Sequence, residues 1–101
     1  MIKHSPIFEA FHKDEQKYQR VYRFNNGYGA SVVQGPKTFG GPEGLWELAV
    51  IKFDGEEFYE YDVDENNSVS NEAIGHLGEH EIEPLLVAIS HMHKKGALPS
   101  A

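Results

Sequence analysis

A chain of 101 residues without cysteine has the length for one domain with a modest core, and it has no disulfide, zinc-thiolate or thiol-nucleophile chemistry. Sixteen acids against nine Lys and Arg leave a net charge of −7, which argues against general nucleic-acid binding, because that depends on basic groups neutralising phosphates. The charge is lopsided: residues 1–53 carry seven Lys or Arg and five acids, whereas residues 54–83 carry eleven acids and no Lys or Arg.

Met1-Ile-Lys-His-Ser-Pro lacks the apolar run of a signal peptide, and no stretch approaches the ~20 apolar residues of a membrane span. The expectation is a single soluble cytoplasmic domain over 1–101 with no membrane association. Ser5-Pro6 before Ile7-Phe8-Glu-Ala-Phe11 predicts a short helical turn, with Ser5 as N-cap and Pro6 at the first helical position. Lys17 to Phe24 is rich in aromatic and branched residues and predicts a strand near a sheet edge, since neither of its faces is cleanly apolar. Asn26-Gly27 predicts a type I′ hairpin turn into Tyr28-Gly-Ala-Ser-Val-Val33, both central positions of such a turn needing positive φ.

A second hairpin is predicted from Leu45 to Phe53, turning at Asp54-Gly55 and returning along Glu57-Phe-Tyr-Glu-Tyr61. Leu45, Ala49, Ile51 and Phe53 share one strand face while Trp46, Leu48 and Val50 share the other, so this strand belongs inside a sheet. A short capped turn through Ala73-Ile74, with Ser70 or Asn71 as the cap, precedes a helix from Glu79 to about Lys95. Ile82, Leu85, Leu86, Ile89 and Met92 form its apolar stripe, Lys94 and Lys95 complement its dipole and Gly96 stops it. The fold class predicted is α+β: a four-stranded antiparallel β-meander with the C-terminal α-helix packed on one face. The uncovered sheet face then calls for the N-terminal turn or a second subunit, and a homo-oligomer is expected.

Between the hairpins, Gln34-Gly-Pro-Lys-Thr-Phe-Gly-Gly-Pro-Glu-Gly44 is too long and irregular for a plain hairpin connection. Gly40 and Gly41 could let backbone amides approach a ligand, Tyr28, Phe39 and Trp46 offer stacking faces, and Arg20, Arg23 and Lys37 offer positive charge. These eight residues predict a site for a small anionic, nucleotide-like ligand between the Asn26-Gly27 hairpin and the Gly35 to Gly44 loop. Arg20 and Arg23 lie on opposite strand faces, so a subunit interface would be needed to reunite them.

Other motifs dissolve on inspection. His76-Leu-Gly-Glu-His80 has the letters of an inverted zinc-protease motif, but Gly75 and Gly78 weaken the helix it needs. Asp62, Asp64, Asn66 and Ser68 alternate like half a calcium loop, yet Asn67 and Ala73 occupy the glycine and bidentate-acid positions. His91 and His93 fall on different helix faces, and Glu47, in an otherwise apolar strand, has no positioned partner in sequence. No metal, no cofactor and no catalytic residue is predicted, and an enzyme, as a small hydrolase, ranks third among the functional classes.

The runs Tyr22-Arg-Phe-Asn-Asn-Gly-Tyr-Gly-Ala-Ser-Val32, Gly44-Leu-Trp-Glu-Leu-Ala-Val50 and Ile74-Gly-His-Leu resemble a group of small bacteriophage accessory proteins of unassigned role. The resemblance covers roughly Tyr22 to Ile89 and carries no catalytic residues. It implies a counter-defence product acting in the infected host cell by stoichiometric binding. The function expected is non-enzymatic sequestration of a small anionic, nucleotide-like ligand, such as a host immune signal; the alternative is inhibition of a basic host protein by the acidic half from Asp54 to Glu83 in the manner of a DNA mimic.

Overall fold

The computed structural model describes residues 4–65, 67–69 and 72–93. The predicted class holds: an antiparallel sheet carries one C-terminal helix, but the sheet has six strands rather than four. In chain order these are β1 (Phe8–His12), β2 (Lys17–Arg23), β3 (Tyr28–Gln34), β4 (Trp46–Phe53), β5 (Tyr61–Val63) and β6 (Ile74–Leu77), followed by α1 (Glu79–Ser90). The first five lie side by side in sequence order. On β4, the edge away from β3 is shared, with β5 opposite Ile51 to Phe53 and β6 opposite Trp46 to Leu48.

The expected N-terminal helical turn is instead β1. Five residues with Phe8 and Phe11 three apart fit either periodicity, but so short a helix gains little alone, whereas the outer edge of β2 offers main-chain partners. Phe8 stands opposite Val21 and His12 opposite Lys17, and the Ile7 N–H donates to the Val21 carbonyl at 2.7 Å. The predicted capped turn at Ala73-Ile74 is also replaced by a strand, β6, while its proposed caps Ser70 and Asn71 lie outside the described residues. The return strand expected over 57–61 begins only at Tyr61, because residues 54–60 close on themselves with the Asp54 N–H donating to the Glu60 carbonyl at 3.0 Å.

The Asn26-Gly27 hairpin forms with a different turn. Only Gly27 has positive φ, at 87°, and its N–H donates to Phe24 O while the Phe24 N–H donates to Tyr28 O at 2.8 Å. This is a type I turn closed by a glycine bulge rather than type I′. Asn26 is held out of the left-handed region by its side chain, whose Nδ2 donates to the carbonyls of Ile89 at 2.8 Å and Met92 at 3.1 Å. A hairpin residue thereby caps the far end of α1, which stops at Ser90; Lys94, Lys95 and Gly96, proposed as its last turn and stop, lie outside the described residues.

The alternation read in β4 is the alternation observed. Trp46, Leu48 and Val50 join Tyr22, Ala30, Val32 and Leu77 beneath Ile82, Leu86 and Ile89 of α1. Those three helix residues are fully buried, each contributing about 1.5–3 kcal/mol, and this packing stabilises a twelve-residue helix that would be marginal alone. On the other sheet face Val21, Ile51 and Phe53 form a second cluster with Phe8 and Tyr61. No helix among the described residues covers that face; Phe58, from residues 54–60, reaches across one end of it and stacks on Phe8 at 4.0 Å.

Candidate functional site

The eight residues predicted to bind an anion do not converge. The Asn26-Gly27 turn and the 35–44 loop flank the two ends of β3, whose seven residues span about 23 Å, so one small ligand does not touch both. Arg20 lies on the helix side of the sheet and Arg23 on the other, as their alternation in β2 requires. Both are already occupied. Arg20 grips Glu79 through both terminal nitrogens at 3.1 and 3.4 Å, approaches Glu9 at 3.6 Å, and lies 4.4 Å above the Trp46 ring. Burial alone would lower its pKa, but the hydrogen bonds and charge of Glu79 prevail and raise it above the ordinary guanidinium value, so the group stays charged and paired. Arg23 donates to the Glu56 carbonyl at 3.1 Å and stacks over Phe53 at 4.4 Å.

The aromatic and glycine positions also have local duties. Trp46 is only 8% exposed and Tyr28 is half-buried against the helix-side core. Phe39 is 60% exposed, but its N–H donates to the Glu47 carboxylate at 2.8 Å and its carbonyl accepts from His76 N–H at 3.0 Å. Glu47 therefore ties down the loop. A Cβ at Gly41 would collide with the Gly35 carbonyl, and one at Gly40 would lie 2.7 Å from His76 Cα. The Gly41 N–H is spent on Thr38 O at 3.1 Å. The glycines serve close packing of the loop onto itself and onto β6, and Gly41 aims no amide at a ligand. Lys37 is exposed at a cleft of about 240 Å³ beside Lys17, Thr38 and Glu47, on the sheet side away from Arg20. Of the three cations, Arg20 meets one of the predicted aromatic faces, Trp46, and the two line a groove of about 280 Å³ with Glu9 and Tyr18.

Nor, among the described residues, does a histidine stand in direct reach of a hydroxyl nucleophile on the helix-free face. On the helix-free face His12 Nε2 bonds Gln19 Oε1 at 2.8 Å, and Gln19 Nε2 donates to Ser31 Oγ at 3.0 Å and Tyr61 OH at 3.3 Å. An amide therefore stands between the histidine and the serine, where activation requires them in direct reach. His76 sits in β6 and His80 in α1 rather than on one helix, and His76 faces Glu43 at 3.4 Å. Among the described residues no group of three His, Asp or Glu could hold a metal ion.

A different feature is fully formed, over residues 54–65. Asp54, Glu56, Glu57, Asp62 and Glu65 are exposed and Glu60 is partly so, and among the described residues none of the six is ion-paired. Tyr59 stands among them at 64% exposure, edge-on to Phe58 at 5.3 Å, with Val63 exposed further along. The loop is braced: the Glu60 carboxylate accepts from Glu57 N–H at 3.0 Å, Arg23 holds the Glu56 carbonyl, and Phe58 is pinned on Phe8. The two aromatics were hidden in sequence because the segment reads as a return strand. Two adjacent aromatics among four acids after Asp-Gly are the signal that marks it.

Fold and loop together define a small α+β protein whose distinctive surface is an acidic and aromatic loop between β4 and β5, braced against Arg23 of β2 and Phe8 of β1. No family model, curated protein or solved structure matches the chain. Among the described residues no helix is long and apolar enough to cross a membrane.

Proposed function

We propose that this protein acts by stoichiometric binding of a basic protein partner through the acidic, aromatic segment 54–65, with no catalysis of its own. The observation that carries this is the set of six carboxylates over residues 54–65 that have no ion-pair partner among the described residues, in the same braced segment as the exposed Tyr59. Unneutralised like charge is costly to keep together, steers an oppositely charged partner, and is relieved on complex formation. An exposed tyrosine in such a setting supplies apolar contact area at low entropic cost, and the bracing reduces what must be ordered on binding. A host protein inhibited by a phage accessory product is one partner that the sequence resemblance allows, although on sequence alone ligand sequestration stands first.

Sequestration of a nucleotide-like anion keeps one supporting observation, the Arg20–Trp46 pair lining its groove. A ligand there would have to displace Glu79 and Glu9 from Arg20, which makes it the weaker proposal. One experiment separates the two. Protein incubated in a bacterial lysate should retain a basic protein at low salt and release it at high salt, with retention lost in Glu56→Lys/Glu57→Lys and in Tyr59→Ala. A nucleotide recovered by mass spectrometry after denaturing the protein, with no protein retained, would replace the interaction module by the sequestering one.

A further inference from the structure

Asn26-Gly27 is the one place in the sequence where glycine follows asparagine, and that pair carries chemistry of its own. The main-chain nitrogen after an asparagine can attack the side-chain amide carbon, and glycine in that place has no Cβ to hinder the approach. Both residues are half-buried, and the folded chain engages the polar atoms that the reaction uses. Asn26 Nδ2 donates to Ile89 O at 2.8 Å and Met92 O at 3.1 Å, and Oδ1 accepts from Tyr28 N–H at 3.0 Å. The Gly27 N–H, whose proton must be lost, donates to Phe24 O at 3.2 Å. Addition at Cγ turns the planar amide tetrahedral and swings Nδ2 out of line with the two carbonyls at the helix end, so the cap must open first.

We propose that Asn26 is a self-modification site gated by the end of α1: while the cap holds the side chain is protected, and when the last turn opens it deamidates. Hydroxide removes the Gly27 amide proton and the nitrogen attacks Cγ. The new N–Cγ bond closes a succinimide ring, and Cγ–Nδ2 breaks as Nδ2 takes a proton from water and leaves as ammonia. Water then adds to one of the two ring carbonyls and breaks its bond to nitrogen. The product is aspartate at position 26, or iso-aspartate with the main chain routed through Cγ; one water is consumed, one ammonia is released and nothing is oxidised or reduced. Neither product can restore the cap. Both have lost the Nδ2 donor, and the aspartate carboxylate would face carbonyls at the negative end of the helix. The iso form also adds a carbon to the main chain of a turn closed by Gly27 N–H to Phe24 O and Phe24 N–H to Tyr28 O. A reversible local opening is thereby made permanent. The reaction stands independently of what the acidic loop binds.

Incubation in mildly alkaline buffer followed by peptide mapping reads conversion at Asn26 as the mass gain of an amide-to-acid exchange, and isoelectric focusing reads it as a more acidic band. The urea-denatured chain should convert at Asn26 ahead of its neighbour Asn25, which no glycine follows. The folded protein should convert at least about tenfold more slowly, as for a cap open in at most about one molecule in ten. Ile89→Val removes one methylene beneath the last turn of α1, and Ile51→Val removes one from the opposite sheet face, both residues being fully buried. In the folded state the first should speed conversion about threefold over the second, and in urea both should match the parent. Converted protein, separated by ion exchange, should unfold at a lower urea midpoint than unconverted protein. No conversion at Asn26 in the denatured chain, equal rates in folded and denatured protein, equal rates in the two folded variants, or an unchanged midpoint after conversion would each overturn the proposal.

Discussion

Asn26 is the residue whose replacement tests the architecture most sharply, because one side chain closes the β2–β3 hairpin and caps the helix packed over it. Its Nδ2 donates to Ile89 O at 2.8 Å and Met92 O at 3.1 Å, while Oδ1 accepts from Tyr28 N–H at 3.0 Å. Asn26→Ala removes all three. With a net value of about 1 kcal/mol for a typical internal hydrogen bond, and solvent replacing part of the loss at a half-buried site, the expected cost is about 2 kcal/mol. For a domain of this size that lowers Tm by about 10 °C. Asn26→Asp should be at least as damaging, since it exchanges the donor for a carboxylate beside the negative end of the helix. Asn25→Ala, at the exposed neighbouring position, should stay within about 0.5 kcal/mol of the parent. Urea unfolding followed by circular dichroism gives the comparison. If Asn26→Ala unfolds at the same midpoint as Asn25→Ala, the side chain does not hold the helix end and the cap is wrong.

Tyr22, buried under the helix, has its hydroxyl raised above 10.0 by that burial, with the nearby Arg20 charge opposing part of the effect. The unfolded chain then ionises this tyrosine first, so folding stability should decline as pH rises through about 10, and a Tyr22→Phe protein should decline less steeply; equal slopes would contradict the burial. In the long loop, Gly41→Ala drives a methyl into the Gly35 carbonyl and should destabilise more than Gly44→Ala, whose added carbon meets nothing within 4 Å and carries only the strain of φ 75°. Equal thermal shifts for the two would mean that the loop is not closely packed.

What could be read from the sequence was local. The two apolar faces of β4 and the Ile82, Leu86, Ile89 stripe follow from periods of two and 3.6, and each landed where the period put it. β1 and β6 were missed for a shared reason: five residues and four residues carry too few positions to express a period, and both strands exist because a neighbour offers an open edge. β6 is further disguised by a register shift opposite Trp46 and Leu48 that leaves His76 at φ 57°. The hairpin turn was placed correctly and typed wrongly because the deciding partner of Asn26 is 63 residues away. The pairing at the candidate anion site was hidden for the same reason, since Glu79, which bonds Arg20, lies 59 residues further along. Charge type and spacing in one dimension do not reveal which cations a fold has already paired.

The central claim is that the braced 54–65 segment is a binding surface for a basic protein. The most direct measurement is quantitative affinity capture from a bacterial lysate by the parent protein and by Glu56→Lys/Glu57→Lys, at low and high salt, with circular dichroism confirming that both are folded. The account predicts one basic protein retained by the parent at low salt and lost both in the variant and at high salt. Equal retention by parent and variant, or retention indifferent to salt, would contradict it.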